Sequence, residues 1–227
     1  GTNITQRRVG RGRIVWGRKL REVLLADGVK PDFEHSGKNA FVDFIHRTAG
    51  EAEIYFVANR NNRWERVDCT FRVAGKLPEL WDPIQGTMRD AAAYGMAEGR
   101  TTLPLEFAPH GSTFVVFRKP ASLPRAEGQN FLECKSVQEI TGPWTVEFDP
   151  KWGGPNSVVF KKLEDWSKRT EDGIKFFSGT ATYRKRFDLP DTLRKGNRRI
   201  YLDLGNVKNL ADVRLNGASL GVVWTVP

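Results

Sequence analysis

Apolar and polar residues alternate with a period of two through much of the chain. Near the C-terminus, Ile200, Leu202 and Leu204 fall on one face of a predicted strand, while Tyr201 and Asp203 fall on the other. A period of two is typical of a β-strand that buries one face. Because many short segments repeat this pattern, we predict a mainly β fold of two antiparallel β-sandwich or jelly-roll modules, preceded by a short α/β segment.

Residues 1–32 depart from this pattern. A short strand is predicted at 13–16, and the helix predicted after it places Leu20, Val23 and Leu24 on one face. One strand and one helix cannot enclose a core of their own. We therefore interpret this segment as the tail of an upstream α/β domain.

The rest of the chain divides into two series of strands. Residues 33–119 contain six alternating or apolar segments separated by turn-forming residues, which predicts a β-sandwich. Residues 120–129 hold two prolines, one glycine and few large apolar side chains, so a linker is predicted there. Residues 130–227 resume the strand pattern and are predicted to form a second sandwich or jelly-roll module.

A β-hairpin is predicted at the end of the sequence. Val213 and Leu215 alternate with polar residues, and Asn216 and Gly217 tolerate the positive φ angles of a tight turn. The apolar positions of the second strand are predicted to share one face: Leu220, Val222, Trp224 and Val226. Two strands alone are marginally stable, so we expect the chain to be a piece of a longer protein.

The composition argues against several classes of protein. Aromatic residues make up 11% of the 227 residues, which is typical of a folded chain rather than a disordered one. No run of about 18 apolar residues occurs, so no membrane-spanning helix is predicted. Lys and Arg outnumber Asp and Glu by 36 to 27, for a net charge of +9. Nucleic acid is still disfavoured as a partner, because no nucleic-acid-binding motif accompanies the basic clusters.

The sequence offers no motif for a metal, a cofactor or a catalytic group. Cys69 and Cys134 are 65 positions apart, and neither a disulfide framework nor a metal spacing is visible. The three histidines are irregularly spaced. The segment around Ser112 lacks the flanking glycines of a nucleophile elbow. Carboxylates are scattered without a motif for glycoside hydrolysis, so we predict no cofactor and no metal.

Tryptophan rings suggest a different chemistry, because the flat faces of sugars pack on them. Trp144 and Trp224 occupy in-phase strand positions and are predicted core residues. Trp152 and Trp166 lie in predicted loops, where ligand contact and structural packing are both open.

Polar side chains complete the set of carbohydrate-contact candidates, since sugar hydroxyls need hydrogen-bonding partners. Asp165 precedes Trp166, and His46 and Arg47 place two hydrogen-bonding groups at the end of a predicted strand. The alternative for His46 is a structural histidine with satisfied hydrogen bonds.

Several segments together resemble known glycoside hydrolases. FFSGTATYRKRF at 176–187, IYLDLGNVKNLADVRLNG at 200–217 and LGVVWTVP at 220–227 resemble the sugar-binding jelly-roll domain of glycoside hydrolase family 2. IHR, IYFVAN, FRVAGKLPELWDPIQG and FVVFRK resemble the C-terminal region of glycoside hydrolase family 106, the α-L-rhamnosidase-like proteins. The resemblance covers nearly the whole chain.

This resemblance implies that the catalytic machinery lies elsewhere. In family 106 the acid and base carboxylates belong to a barrel that precedes this region, so no catalytic residue is transferred to this chain. Residues 130–227 would form a galactose-binding-like jelly roll truncated at its C-terminus. Carbohydrate and the catalytic barrel of the same polypeptide are the implied partners, and a periplasmic or extracellular location is implied.

The main interpretation is a non-catalytic C-terminal fragment of a glycoside hydrolase that acts on rhamnose-containing glycans. One alternative is a stand-alone carbohydrate-binding module in which Trp152 and Trp166 form the platform. The other is a purely structural or interaction β-sandwich protein.

Overall fold

The computed structural model describes residues 5–194 and 199–224, and these residues form two compact units. One unit contains the chain up to Glu133 together with the segment from Gly205 onward, and the other spans Cys134–Leu204. The fold is mainly β with antiparallel sheets, as the alternation predicts.

The chain begins with a small hairpin and one helix. Strands β1 (Gln6–Val9) and β2 (Gly12–Val15) pair antiparallel, and helix α1 (Leu20–Ala26) follows. The helix ends where Gly28 takes a φ of 77°, a left-handed conformation that favours glycine. No residue of α1 is buried against the described part of the chain, so packing adds little to the stability of so short a helix.

Residues 33–126 form a β-sandwich of two five-stranded sheets. Its strands are β3 (Phe33–His35), β4 (Val42–Ala49), β5 (Ala52–Asn59), β6 (Glu65–Phe71), β7 (Lys76–Trp81), β8 (Met88–Asp90), β9 (Tyr94–Ala97), β10 (Arg100–Phe107), β11 (Ser112–Pro120) and β12 (Arg125–Ala126). One sheet has the order β12-β9-β10-β6-β3, and the other has the order β4-β5-β11-β7-β8. All of these pairings are antiparallel.

The core of the sandwich lies between the inward faces of the two sheets. Alternate residues of each strand point into it, among them Val67, Cys69, Phe71, Leu103, Leu105 and Phe107 from one sheet and Tyr55, Val57, Val115 and Phe117 from the other. The ring of Phe71 lies 4.8 Å from that of Tyr55 and 5.6 Å from that of Phe117. Burial raises the pKa of the Cys69 thiol to about 12, so this cysteine is an inert core group.

Residues 120–129, where the sequence predicts a linker, contain strand β12, which pairs with β9 at the sandwich edge. Asn130 follows it and is buried. Its side-chain Nδ2 donates to the carbonyl oxygens of Ala93 (2.8 Å) and Pro104 (3.1 Å). Its side-chain Oδ1 accepts from the backbone N–H of Ala93 (2.9 Å). These bonds tie the segment to the sandwich.

The unit Cys134–Leu204 is built on a three-stranded sheet. Strand β13 (Trp144–Phe148) lies between β14 (Val158–Phe160) and β15 (Ala181–Arg184). Two 3₁₀ helices (Pro150–Trp152 and Trp166–Lys168) and the short helix α2 (Asp172–Lys175) lie in the connections between the strands, and helix α3 (Asp191–Arg194) follows β15. The small core contains Val146, Phe148, Phe160, Ile174 and Phe177, and Trp144 packs against it half-buried.

The predicted strand at Ile200–Leu204 is wrong, because the described residues from 199 to 210 contain no strand. The alternation is present, but no described strand pairs with the segment, and Ile200 and Tyr201 are exposed. A strand needs a neighbour to bond its backbone amides and carbonyls.

The predicted terminal hairpin is confirmed. Strands β16 (Ala211–Leu215) and β17 (Ala218–Val223) pair across Asn216 and Gly217, whose φ angles are 52° and 85°. The interpretation of Trp224 as a core residue is wrong, since its side chain and those of Leu220 and Val222 are more than half exposed. Val226 lies outside the described residues.

Candidate functional site

His46 lies on β4, where its ring stacks on the buried ring of Tyr55 at 3.9 Å. The register of β4 and β5 puts the two residues opposite each other. Nδ1 of His46 is 3.0 Å from Oδ2 of Asp32, and Nε2 is 2.8 Å from Oε2 of Glu53. Both ring nitrogens therefore face carboxylates of the same unit.

Asp32 is the centre of this cluster. Its Oδ1 accepts a 3.0 Å hydrogen bond from the Tyr55 hydroxyl and lies 3.4 Å from the Arg72 guanidinium. Burial, and then the neighbouring Asp32 carboxylate, raise the pKa of Tyr55. The phenol therefore stays neutral and donates to the carboxylate. The arrangement resembles the oriented histidine of an acid–base site, but its hydrogen-bonding groups are engaged with one another.

Arg47 does not join this cluster. It follows His46 directly in β4, so its side chain points to the opposite face of the sheet. The Arg47 side chain is exposed. The two polar groups that the sequence places side by side are therefore separated by the pleat of the strand.

Removing the Asp32 carboxylate is expected to destabilise the sandwich. Asp32→Ala leaves the buried Tyr55 hydroxyl and one nitrogen of His46 without an acceptor, which costs about 1–3 kcal/mol. Urea titrations of wild type and variant measure this loss as a difference in the free energy of unfolding. Asp43→Ala is the matched control, because Asp43 is exposed and its ion pair with Arg60 is 3.6 Å long, so a change below about 0.5 kcal/mol is expected. Equal losses in the two variants would contradict a structural role for the cluster.

The second group of candidates lies in the unit Cys134–Leu204. Asp165 caps the second 3₁₀ helix, where its Oδ1 accepts from the Ser167 amide at 3.1 Å and from the Ser167 hydroxyl at 2.8 Å. Trp166 packs its ring edge-on against Phe148 (5.7 Å) and Phe177 (6.1 Å). Its indole is thus part of the packing around the small core.

Trp152 has the opposite environment. It ends the first 3₁₀ helix, which Asp149 caps by accepting from the Lys151 amide at 3.0 Å. Its side chain is 70% exposed. The structure therefore does not bring Trp152 and Trp166 together as one exposed platform.

Phe176 is a second exposed aromatic residue in this unit, and sequence reasoning missed it. It follows α2 and is 71% exposed, whereas the next residue, Phe177, is buried. The signal available in the sequence is the pair of consecutive phenylalanines before Ser178 and Gly179. Here one of the two adjacent rings faces the core and the other faces solvent.

Ion pairs fix the loop that joins these elements. Arg169 binds Glu164 at 2.7 Å and also binds Glu171, and its guanidinium lies 4.6 Å from the centre of the Phe160 ring. The hydrogen bond from Arg169 lowers the pKa of Glu171 to about 2. The loop therefore keeps this pairing across the neutral and mildly acidic range.

Within residues 5–194 and 199–224, no three His, Cys, Asp or Glu side chains are arranged to hold a metal ion. None of the helices described is long and apolar enough to cross a membrane.

Known proteins give the family relationship. Residues 1–95 match the family model described as α-L-rhamnosidase, glycoside hydrolase family 106. Over these residues the chain is similar to the family 106 glycoside hydrolases. The relationship predicted from the sequence motifs is thereby confirmed.

Two individual proteins extend the family 106 relationship. The solved rhamnosidase of Novosphingobium sp. PP1Y aligns with 99% of the chain at 34% identity and a TM-score of 0.84. A protein of Formosa agariphila named "Putative beta-glucuronidase" is 43% identical over 96 residues, or 41% of the chain. The chain spans 21% of the Novosphingobium rhamnosidase and 8% of the Formosa protein.

Proposed function

We propose that this chain is a non-catalytic β region of a rhamnosidase-like glycoside hydrolase that acts on rhamnose-containing glycans. It supports the catalytic domain of that enzyme and contacts carbohydrate. The observation that carries the proposal is the alignment of 99% of the chain with a rhamnosidase of which it spans only 21%.

The carboxylates of the described residues support a non-catalytic role. Glycoside hydrolysis uses two carboxyl groups across a cleft, one of them a general acid with a raised pKa. Glu34 and Asp43 line one open depression. Burial alone would raise the pKa of Glu34, but hydrogen bonds from Arg100 and Arg21 outweigh it and lower this pKa. A general acid needs a raised pKa, so the lowered pKa argues against Glu34 in that role.

The N-terminal hairpin and helix supply a surface for the catalytic domain. The large apolar side chains exposed there are Val9, Ile14, Trp16, Leu20, Leu24 and Leu25. A seven-residue helix with no buried residue gains little stability by itself. Because the aligned rhamnosidase is almost five times as long as the chain, we propose that its catalytic part covers the equivalent surface.

Rhamnosidase assays test the catalytic assignment. The purified chain is expected to show no turnover of 4-nitrophenyl α-L-rhamnopyranoside. A chimera in which the chain replaces the aligned fifth of the Novosphingobium rhamnosidase is expected to hydrolyse it. Turnover by the chain alone, or a soluble chimera without activity, would contradict the proposal.

Substitutions in α1 test the docking surface. In the chain alone, Leu20→Gln with Leu24→Gln is expected to change the free energy of unfolding by less than about 0.5 kcal/mol per site, because both side chains are exposed. In the chimera, each leucine loses about 1.5–3 kcal/mol of burial, so the melting temperature falls. Equal effects in both proteins would exclude this surface as the contact.

Among the carbohydrate-contact candidates, the exposure of Trp152 favours it as the aromatic contact. Arg47 is also accessible. The roles of His46, Asp165 and Trp166 in binding stay predictions, and each of these side chains has structural partners.

A further inference from the structure

Two exposed aromatic residues lie on neighbouring elements of the unit Cys134–Leu204. Trp152 ends the first 3₁₀ helix and Phe176 follows α2. The backbones of these elements touch, since a Cβ atom on Gly173 of α2 would lie 2.9 Å from the carbonyl oxygen of Gly153. The glycine contact therefore brings the two backbone segments that carry these aromatic residues close together.

Packing against the small core also fixes the residues next to this backbone contact. A Cβ atom on Gly154 would lie 2.6 Å from Cβ of Phe148 and 3.0 Å from the ring of Phe177. Phe177 is buried in the small core directly after the exposed Phe176. Packing thus fixes Gly154, two residues after Trp152, and Phe177, the residue after Phe176. This packing reduces the ordering cost of binding.

The surroundings of the two rings are polar. Exposed Lys151 precedes Trp152, and Asp172 and Lys175 of α2 are exposed beside Phe176. The Lys175 ammonium lies 5.1 Å from the centre of the Phe176 ring. These groups can donate to or accept from hydroxyls at the edge of a ligand whose apolar face lies on the rings.

The size of the patch distinguishes between two kinds of ligand. Two aromatic side chains offer at most about 500 Å² of contact area. A stable protein interface needs about 800 Å² on each partner. The patch is too small for that, but its apolar rings and polar rim suit a short stretch of sugar residues.

We propose that Trp152 and Phe176 form a carbohydrate-binding platform for the pyranose faces of an oligosaccharide, with Lys151 and Lys175 bonding its hydroxyls. This deepens the proposed function and rests on it for the choice of rhamnose-containing ligands. The platform differs from the Trp152–Trp166 pair that the sequence suggests, because Phe176 replaces the packed Trp166.

Isothermal titration of the 227-residue chain with a rhamnose-containing oligosaccharide tests the platform, and a cello-oligosaccharide of equal length tests its specificity. Trp152→Ala and Phe176→Ala are each expected to raise the Kd at least about tenfold. Trp152→Tyr, which keeps a flat ring, is expected to retain binding. The matched control is Trp64→Ala, which removes a tryptophan 57% exposed on the sandwich and should leave the Kd unchanged.

The result that overturns the platform is an unchanged Kd in both alanine variants, or no binding by the wild-type chain. If the chain bound no sugar but formed a dimer that these substitutions dissociate, the patch would be an interface with a second copy of the chain. That result would also overturn the platform. Circular dichroism of each variant shows that the fold is intact. Activity of the chimera does not depend on this result, so failure of the platform is distinguishable from failure of the proposed function.

Discussion

Replacing Phe71 by alanine is expected to lower the free energy of unfolding of the sandwich by about 3–5 kcal/mol. Phe71 is completely buried and contacts aromatic rings from both sheets. Its ring centre lies 5.3 Å from that of Phe33, 4.8 Å from that of Tyr55 and 5.6 Å from that of Phe117. The substitution leaves a cavity between close-packed rings that cannot collapse without moving both sheets.

Urea unfolding followed by far-ultraviolet circular dichroism measures this loss. Phe114→Ala removes the same ring from the outer face of β11, where Phe114 is half-buried and pairs with Phe56 at 4.9 Å. The expected loss there is about 1 kcal/mol. If Phe114→Ala destabilised the chain as much as Phe71→Ala, the core would not lie between the two sheets as described.

The sandwich could be predicted from sequence because its strands bury one face, and such burial leaves a period of two. The same pattern misleads at Ile200–Leu204, where alternation occurs without a described partner strand. Strand β12 is the converse case. Prolines and polar residues around Arg125 and Ala126 indicate a loop, but pairing with β9, about 30 residues earlier in the chain, sets the conformation. Local patterns do not contain such distant pairings.

The candidate site was predictable only in part, for a related reason. His46 stands out in the sequence, but its partners Asp32 and Glu53 are 14 and 7 positions away, and the β4–β5 register and the loop before β3 bring them together. Phe176 and Phe177 are both phenylalanines and are adjacent in the sequence. Only the packing of Phe177 against Phe148, at 5.0 Å, determines which ring stays exposed.

Glu79 contributes a second large and pH-dependent part of the stability. It lies on β7 and is only 2% exposed. Its Oε2 accepts from Nε of Arg118 at 2.8 Å and from the indole of Trp81 at 3.1 Å, and Lys119 binds its Oε1. Burial alone would raise the pKa of Glu79, but the hydrogen bonds from Lys119, Arg118 and Trp81 outweigh it and lower this pKa.

Glu79→Ala is expected to cost about 3 kcal/mol at pH 7, since it breaks a buried charge network whose cations are half-exposed. Because folding lowers the pKa of Glu79, its contribution is present above the pKa of an unfolded glutamate, about 4.3. It is lost as the pH falls through the lower folded value. Urea titrations at pH 7 and at pH 3 and below should therefore show that the difference in unfolding free energy between wild type and variant narrows in acid.

Glu127→Ala is the control, because it removes an exposed carboxylate paired with Arg125. It should change the free energy of unfolding by less than about 0.5 kcal/mol at pH 7. A gap that stayed constant across this range would mean that the charge of Glu79 is not what stabilises the sheet.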